Sequence, residues 1–295
     1  MKKLTVFTPT YNRKDLLPRL YQSLKNQTVK DFVWLVIDDG STDDTGLLVN
    51  QWQHENTLEI AYIFKENEGM HSAHNVAYNR ITTDWNTCID SDDKMPLNAV
   101  ELILRAIETV NDDNCYGLVG LDADFDGNIL GKKIPETLKH VRMRELESLH
   151  GINGDRKLVY KTKIMKDLPP YPIFKGERLV PLSYKSLEAE KKYYLKAVNE
   201  VWCLVEYQPD GSTKNMLKQY RRHPRGFAFM RKAKLNSTLP FKEKVKSAVH
   251  LVSSVLFNGD FKSLFQTRKT LLVLAVFPFG LALNLYIRFK TQKNP

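Results

Sequence analysis

Four short apolar runs, separated by stretches of helical length, fill the first ninety residues, and this alternation limits the fold more than any other feature of the chain. "LTVFT" (4–8) reads as a buried strand and "RKDLLPRLYQSLKNQ" (13–27) as an amphipathic helix. "FVWLVID" (32–38) reads as a second strand, continuously apolar as strands covered on both faces are. A helix over about 45–54, a strand "LEIAYIF" (58–64), a helix over about 72–80 and a strand "NTCID" (86–90) complete a β-α-β-α-β-α-β order. That order predicts an α/β fold, a mostly parallel sheet flanked by helices, with ligands at the carboxyl ends of the strands. Further on, the pattern predicts a helix over 97–110, a strand "YGLVGL" (116–121), a turn-like "DADFDGN", and a strand "VWCLVEY" (201–207) before a turn in "QPDGST".

Polar clusters follow each of the first four strands: "TPTYN", "DDGSTDDT", "KENEGMHSAHN" and "DSDD". The topology aims all four at one crevice. In the second cluster Gly40 suits a turn, and Ser41, Thr42 or Asp43 suits a helix cap. Asp38 and Asp39 come before that turn, where no cap is needed, so Asp39 reads as a ligand-binding residue. In the first cluster Pro9 stiffens the strand exit and Tyr11 offers a ring to a planar group, or simply packs. The fourth is the most demanding, because Asp90, Asp92 and Asp93 crowd like charges into four positions. Mg²⁺ or Mn²⁺ takes oxygen ligands and, held by one or two carboxylates, keeps positions free for a substrate diphosphate. At strand spacing Asp90 and Asp92 would point the same way and reach one ion, leaving Asp93 to cap the helix beginning near Pro96.

Taken in order, these four motifs resemble the nucleotide-sugar-dependent glycosyltransferases of family 2, whose fold is called GT-A, over roughly residues 4–125. Downstream, "GDRKLVYKTKIMKDLPPYPIFKGERLVP" and "EYQPDGST" are similar to members that build bacterial capsules, O-antigens and teichoic-type polymers. The resemblance implies that Thr8, Pro9, Thr10 and Tyr11 bound a nucleotide pocket, that Asp39 accepts a hydrogen bond from the base, and that Asp38 supports the ribose side. It implies that Gly69 allows close approach of the diphosphate, that His71 and Asn75 offer polar contacts, and that Asp90 and Ser91 lie at the donor. Asp90 and Asp92 would be the metal-binding Asp-x-Asp pair for Mn²⁺ or Mg²⁺. The implied reaction is an inverting transfer of sugar from a nucleotide diphosphate sugar, a UDP-sugar by preference, to a hydroxyl of a glycan or lipid-linked saccharide. The metal would neutralise the leaving diphosphate and a carboxylate would take the hydroxyl proton.

The chain departs from its relatives at that carboxylate. In "GERLVPLSYKS" Leu182 stands where the subgroup places an acid, so Glu177 becomes the candidate base and Glu188 a poorer one. A surface ion pair with Arg178 or Lys175 is the alternative for Glu177. His223, in "RRHPRG", could reach the diphosphate or metal as a late histidine does in some relatives, or sit on the surface.

Charge divides the chain. Residues 1–213 carry 27 Lys and Arg against 32 Asp and Glu, whereas residues 214–295 carry 17 against two. The expected domains are therefore a glycosyltransferase domain over 1–213 and a basic helical extension over 214–295. Within the extension "LLVLAVFPFGLALNLYI" (271–287) is apolar, with Arg268, Lys269, Arg288, Lys290 and Lys293 at its flanks. Seventeen residues lie near the lower limit for a membrane span, and Pro278 and Gly280 interrupt the middle, so an in-plane or re-entrant anchor is expected ahead of a full span, with a buried core helix as the alternative. Polybasic attraction added to apolar insertion gives the two signals that stable anchoring needs. Cys88, Cys115 and Cys203 form no disulfide or zinc pattern, and the apolar start "LTVF" is too short for a secretory signal; a cytoplasmic location is therefore expected, and the tail adds the expectation of the inner face of the membrane. Two other readings remain open: a non-catalytic scaffold that keeps the donor pocket, and a basic nucleic-acid-associated protein, although no nucleic-acid motif accompanies the tail.

Overall fold

The protein is described from a computed structural model that covers residues 2–206 and 215–292. Its elements begin β1 (Leu4–Thr10), α1 (Leu17–Lys25), β2 (Phe32–Asp38), α2 (Thr45–Glu55), β3 (Ile60–Phe64), α3 (Met70–Arg80), β4 (Trp85–Cys88) and α4 (Ala99–Glu108). Next come β5 (Cys115–Ala123), β6 (His140–Val141), α5 (Met143–His150), β7 (Leu158–Lys161), α6 (Thr162–Asp167), α7 (Ser183–Ala189) and β8 (Tyr194–Leu204). Five further helices end the described chain: α8 (Met216–Arg222), α9 (Pro224–Leu235), α10 (Phe241–Asn258), α11 (Thr270–Ala275) and α12 (Phe277–Gln292).

Two compact units result. One joins residues 1–170 to 192–206, and the other joins 171–191 to 207–295. The charge pattern places a single boundary at 214, but residues 171–191 also cluster with the C-terminal unit. The turn expected in "QPDGST" and position 214 itself lie outside the described residues.

The first unit is built on one eight-stranded sheet in the order β3-β2-β1-β4-β7-β5-β8-β6. β1, β2, β3 and β4 are mutually parallel where they pair, as the alternation predicts. β7 enters antiparallel between β4 and β5, and β6 pairs antiparallel with β8, so the sheet is mixed. Helices cover both faces at the centre of the sheet, where β1 and β5 are buried along their whole length and β2 nearly so. On one face Trp34 of β2 lies under a stack of Tyr21 and Trp52, whose rings are 4.2 Å apart. On the other, Phe7 of β1 meets His74 of α3 edge-on at 4.9 Å. Ordering these aromatics contributes several kcal/mol beyond what propensity supplies, since each large ring buries roughly 150–250 Å².

The strand before "DSDD" is shorter than expected. β4 stops at Cys88, and the chain turns at Asp90–Asp93, where the Asp93 N–H bonds to the Asp90 carbonyl at 3.1 Å. Asp90 and Asp92 therefore do not share a strand face. Nor does Asp93 cap a helix: α4 begins only at Ala99, after Asn98, and the Asp93 side chain is buried. The chain leaves the sheet early because Lys94 forms an isolated antiparallel bridge with Leu204, which redirects it toward β8.

In the second unit α10 is the central helix. Its residues Ala248, Leu251, Val252 and Val255 form a core with Ala228, Leu235, Leu264, Val273 and Val276. Gly226 and Gly280 permit the closest contacts: a β-carbon would fall 2.0 Å from the Leu179 carbonyl oxygen at the first and 2.4 Å from the Val252 β-carbon at the second. His250 sits edge-on to Tyr220 at 5.1 Å, and burial pushes its imidazole down to about 4, with the charges of Arg231, Lys246 and Lys234 acting the same way. An unfolded histidine takes up its proton near pH 6.5, whereas this one resists until about pH 4. The stability it contributes is thus complete above pH 6.5 and lost as the pH falls toward 4, by roughly 3 kcal/mol in all. Calorimetric melting between pH 7 and 4 should show that decline in the parent and a flatter curve in His250→Leu; equal slopes would refute the assignment.

Candidate active site

The carboxyl ends of β1 and β2 are laced together by side chains from the loops that follow them. Asn12, at φ 51°, accepts the Thr42 N–H on its Oδ1 at 2.8 Å, while its own N–H goes to Ser41 Oγ at 2.9 Å. The Arg13 and Lys14 N–H groups bond to Thr45 Oγ1 and Asp43 Oδ2. Asp43 also accepts the Thr45 N–H at 3.0 Å, which satisfies a donor at the start of α2, but the cap position itself falls on Asp44, whose side chain makes no capping bond, and not on Ser41, Thr42 or Asp43.

Asp38 and Asp39 organise the same end of the sheet. Asp38 is buried, and its carboxylate accepts the Ser41 N–H at 2.7 Å and the Tyr62 hydroxyl at 2.7 Å. Burial, then the Asp38 charge, raises the Tyr62 phenol above its ordinary range. Asp39 is buried too, and it accepts the Lys65 ammonium at 2.7 Å, the Glu68 N–H at 3.1 Å and the Gly69 N–H at 2.7 Å. A carboxylate offers about four acceptor positions, so Asp39 keeps one free after holding the third loop. Gly69, at φ 98°, begins α3, and Gly40, at φ 85°, leaves no room for a β-carbon, which would lie 2.8 Å from the Asn67 nitrogen. Lys65 carries no motif signal, but a cation next to a strand end that faces an acidic loop was the clue available.

Along β1, Thr8 and Thr10 are buried. The Thr8 hydroxyl accepts the Trp34 indole N–H at 3.0 Å, so it belongs to the core face. Pro9 pairs with Ile37, and Tyr11 is 42% exposed at the strand exit, open for a planar group to stack on. His71 is buried and Asn75 half-buried, both on α3.

The turn at Asp90–Asp93 is fixed from several sides. The Ile89 N–H bonds to the Phe7 carbonyl, and the Arg19 guanidinium reaches the Asp92 carbonyl while pairing with Glu206 at 2.8 Å. Ser91 is buried within the turn. Burial raises the Asp92 carboxyl above its usual range, and the charge of Asp90 adds to the effect. Two carboxylates that repel each other at a turn suit an added cation. Among the described residues no group of three or more His, Cys, Asp or Glu is placed to hold a metal by itself. That donor set fits Mn²⁺ or Mg²⁺ bound by one or two carboxylates with substrate oxygens completing the sphere, and does not fit a closed structural site.

Behind the turn lies a buried charge cluster with no motif to reveal it. Burial pushes the Asp93 carboxyl up to about 7 against the pull of Lys157, and the Cys203 thiol donates to Asp93 Oδ2 at 3.5 Å. For Lys157, burial acts to lower the ammonium, but Cys203, Asp122, Asp93 and Asp90 outweigh it and hold it well above its ordinary value. These residues come from the turn, β5, β8 and the entry to β7, so no local window of sequence contains them.

Glu177 belongs to the second unit. It is buried, accepting the Arg225 N–H and Nε–H on Oε1, both at 3.0 Å, and the Gly226 N–H on Oε2 at 2.9 Å. It therefore caps α9, and its ion pair is with Arg225 instead of Arg178 or Lys175. His223, which precedes α9, accepts the Arg178 N–H on Nδ1 at 3.1 Å. Leu182 precedes α7 and its carbonyl accepts the Tyr171 hydroxyl, while Glu188 pairs with Lys191.

The model for glycosyl transferase family 2 matches residues 5–168, which takes in the three laced loops and the turn. The chain belongs to that family. It is 32% identical over 178 residues to Glycosyltransferase GlyA of Streptococcus pneumoniae, an alignment covering 56% of this chain but only 25% of that protein. The chain therefore matches about a quarter of that relative's length. Among solved structures, S. aureus TarS 1-349 in complex with UDP-GlcNAc aligns with a TM-score of 0.59 at 18% identity, over 95% of this chain and 79% of that one. The mannosyltransferase PcManGT from Pyrobaculum calidifontis, in complex with GDP-Man and Mn²⁺, aligns at 0.56 and 19% identity, over 98% and 82%. Both show that this family 2 chain has the fold of GT-A glycosyltransferases.

Proposed function

We propose that this family 2 chain is an inverting, metal-dependent glycosyltransferase that moves a sugar from a nucleotide diphosphate donor to a hydroxyl of a glycan or lipid-linked saccharide during surface polysaccharide synthesis. The observation that carries the reading is the convergence of four polar loops at the carboxyl ends of β1, β2, β3 and β4, with Asp39 tying the second to the third. Tyr11 and Asp39 would receive the base, with Asp39's remaining acceptor position suited to an imide N–H, which favours uridine. Asp38 would keep the ribose side rigid. Gly69, His71, Asn75 and Ser91 would border the diphosphate and sugar. Asp90 and Asp92 would hold Mn²⁺ or Mg²⁺, which supplies a Lewis acid for the leaving diphosphate. Lys157 and Asp93 would set the charge beneath the turn. Glu177 stays the candidate base, since its Oε2 accepts a single bond and keeps one position for a hydroxyl proton. We place the enzyme in the cytoplasm at the inner face of the membrane.

Calorimetric titration of UDP and of GDP into the full chain, with and without Mn²⁺, tests this directly. Metal-dependent binding of UDP, together with hydrolysis of a UDP-sugar, is expected. Binding of neither nucleotide would overturn the reading, and binding of GDP alone would correct the donor.

A further inference from the structure

Within the second unit, the segment 271–287 folds as two helices, α11 and α12, that meet near Val276. Its one strongly polar residue, Asn284, faces inward: the side chain is buried and donates from Nδ2 to the Ser253 carbonyl of α10 at 3.0 Å. Gly280 and Ile287 share that inward face, at the spacing of a helix stripe. The outward face carries Leu271, Leu274, Phe279, Leu281, Leu285 and Tyr286, with exposures from 40% at Leu281 to 84% at Leu271. No charged residue occurs from 270 to 287. Val273 and Val276 also pack inward, so the pair of helices is apolar on both sides, with the single amide of Asn284 satisfied inside and large apolar side chains left outside where an ordinary surface helix carries polar ones.

We infer that this face of α11 and α12 lies flat in an anionic lipid bilayer. This names the membrane contact assumed in the reading above and rests on that reading for its biological setting. Among the described residues no helix is long and apolar enough to cross a membrane. α12, at 16 residues, spans about 24 Å against about 30 Å of hydrocarbon. In-plane burial is the arrangement that fits. Charge selects the lipid: Lys262, Arg268 and Lys269 precede the face, Arg288 and Lys290 follow it, and all five are exposed. A second copy of the chain would bring the same positive charges to its rim. A protein interface also carries about one hydrogen bond per 100–200 Å², and of the six outward side chains only the Tyr286 hydroxyl offers a polar atom.

Cosedimentation of the full chain with phosphatidylcholine vesicles, and with vesicles in which a third of the lipid is phosphatidylglycerol, tests the inference. The parent should bind the anionic vesicles and bind the neutral ones much more weakly, with the difference shrinking in high salt. Burying one large apolar side chain changes partition by about a factor of ten, so Leu271→Ser with Phe279→Ser and Leu285→Ser should weaken binding at least ~100-fold. These side chains are exposed, so the variant should melt as the parent does. Should it fail to fold, Leu285→Trp serves instead, because Trp34, Trp52, Trp85 and Trp202 are all buried, so that only the added indole changes its surroundings on binding, read as the difference from the parent's emission. Its emission should shift to the blue on anionic vesicles. Absence of binding by the parent, equal binding by the triple variant, or an unshifted indole would overturn the proposal, as would a dimer that the triple variant dissociates. Hydrolysis of a nucleotide sugar, measured without vesicles on parent and variant, is expected to be equal, and it separates failure of this inference from failure of the catalytic reading.

Discussion

Asp92→Asn is expected to weaken Mn²⁺-dependent UDP binding by about 100-fold, close to 3 kcal/mol, while leaving the melting temperature unchanged or slightly raised. The two effects have one cause. Asp92 is half-buried beside Asp90, and its carboxyl is raised by that partial burial and by the neighbouring charge, so the folded chain pays for ionising it. A neutral amide of the same shape removes the repulsion, but it also removes half of the charge available to a divalent cation. The turn itself should persist, because it is held by the Asp93 N–H to the Asp90 carbonyl and by Arg19 at the Asp92 carbonyl, neither of which uses the side chain. Titration with and without Mn²⁺, paired with a thermal melt, reads both quantities. Unchanged affinity would mean that the diphosphate does not sit at the turn; a large drop in melting temperature would mean that the carboxylate is a structural partner and not a ligand.

Glu177→Ala carries the second large effect. It leaves the Arg225 and Gly226 N–H groups at the start of α9 without their acceptor and takes the carboxylate from the Arg225 guanidinium, which keeps the Lys175 carbonyl. With the Arg225 guanidinium nearly half exposed, the cost lies mainly in the helix N–H groups left unsatisfied, about 2 kcal/mol, which for a unit of this size lowers the melting temperature by roughly 5–10 °C. Loss of a general base costs about 10²–10⁴ in turnover and nothing in stability. Turnover should therefore be measured well below the variant's melting transition. A rate that follows the folded fraction assigns Glu177 to capping alone and moves the base elsewhere, whereas a residual loss of 100-fold with donor affinity intact supports both roles. A variant that melts as the parent does would contradict the capping geometry.

How much of this was legible beforehand depends on the distance over which each feature is set. β2 occupies 32–38 as its apolar run indicates, because a strand buried on both faces announces itself in consecutive residues. The order of strands and helices from β1 to β5 was readable for the same reason, and so was the placing of the four polar loops at one end of four parallel strands, but β6 and β7, which enter antiparallel, were not. The end of β4 was not, since the bridge of Lys94 to Leu204 that turns the chain joins residues more than a hundred positions apart.

The same division runs through the site. Residue type and motif order, which sequence alone determines, marked Asp38, Asp39, Asp90 and Asp92 as unusual. Only the tertiary structure decided what each carboxylate does: Asp39 grips Lys65, Glu68 and Gly69, Asp93 is drawn into a buried cluster with Lys157 and Cys203, and Glu177 closes the end of α9. It also turned Asn284 inward and its apolar neighbours outward, which hydropathy averaged along the chain cannot distinguish from a buried helix. The physical reason is that a buried charge or amide takes whichever partner the packed fold brings within about 3 Å, and that partner is chosen by topology and not by neighbours in sequence.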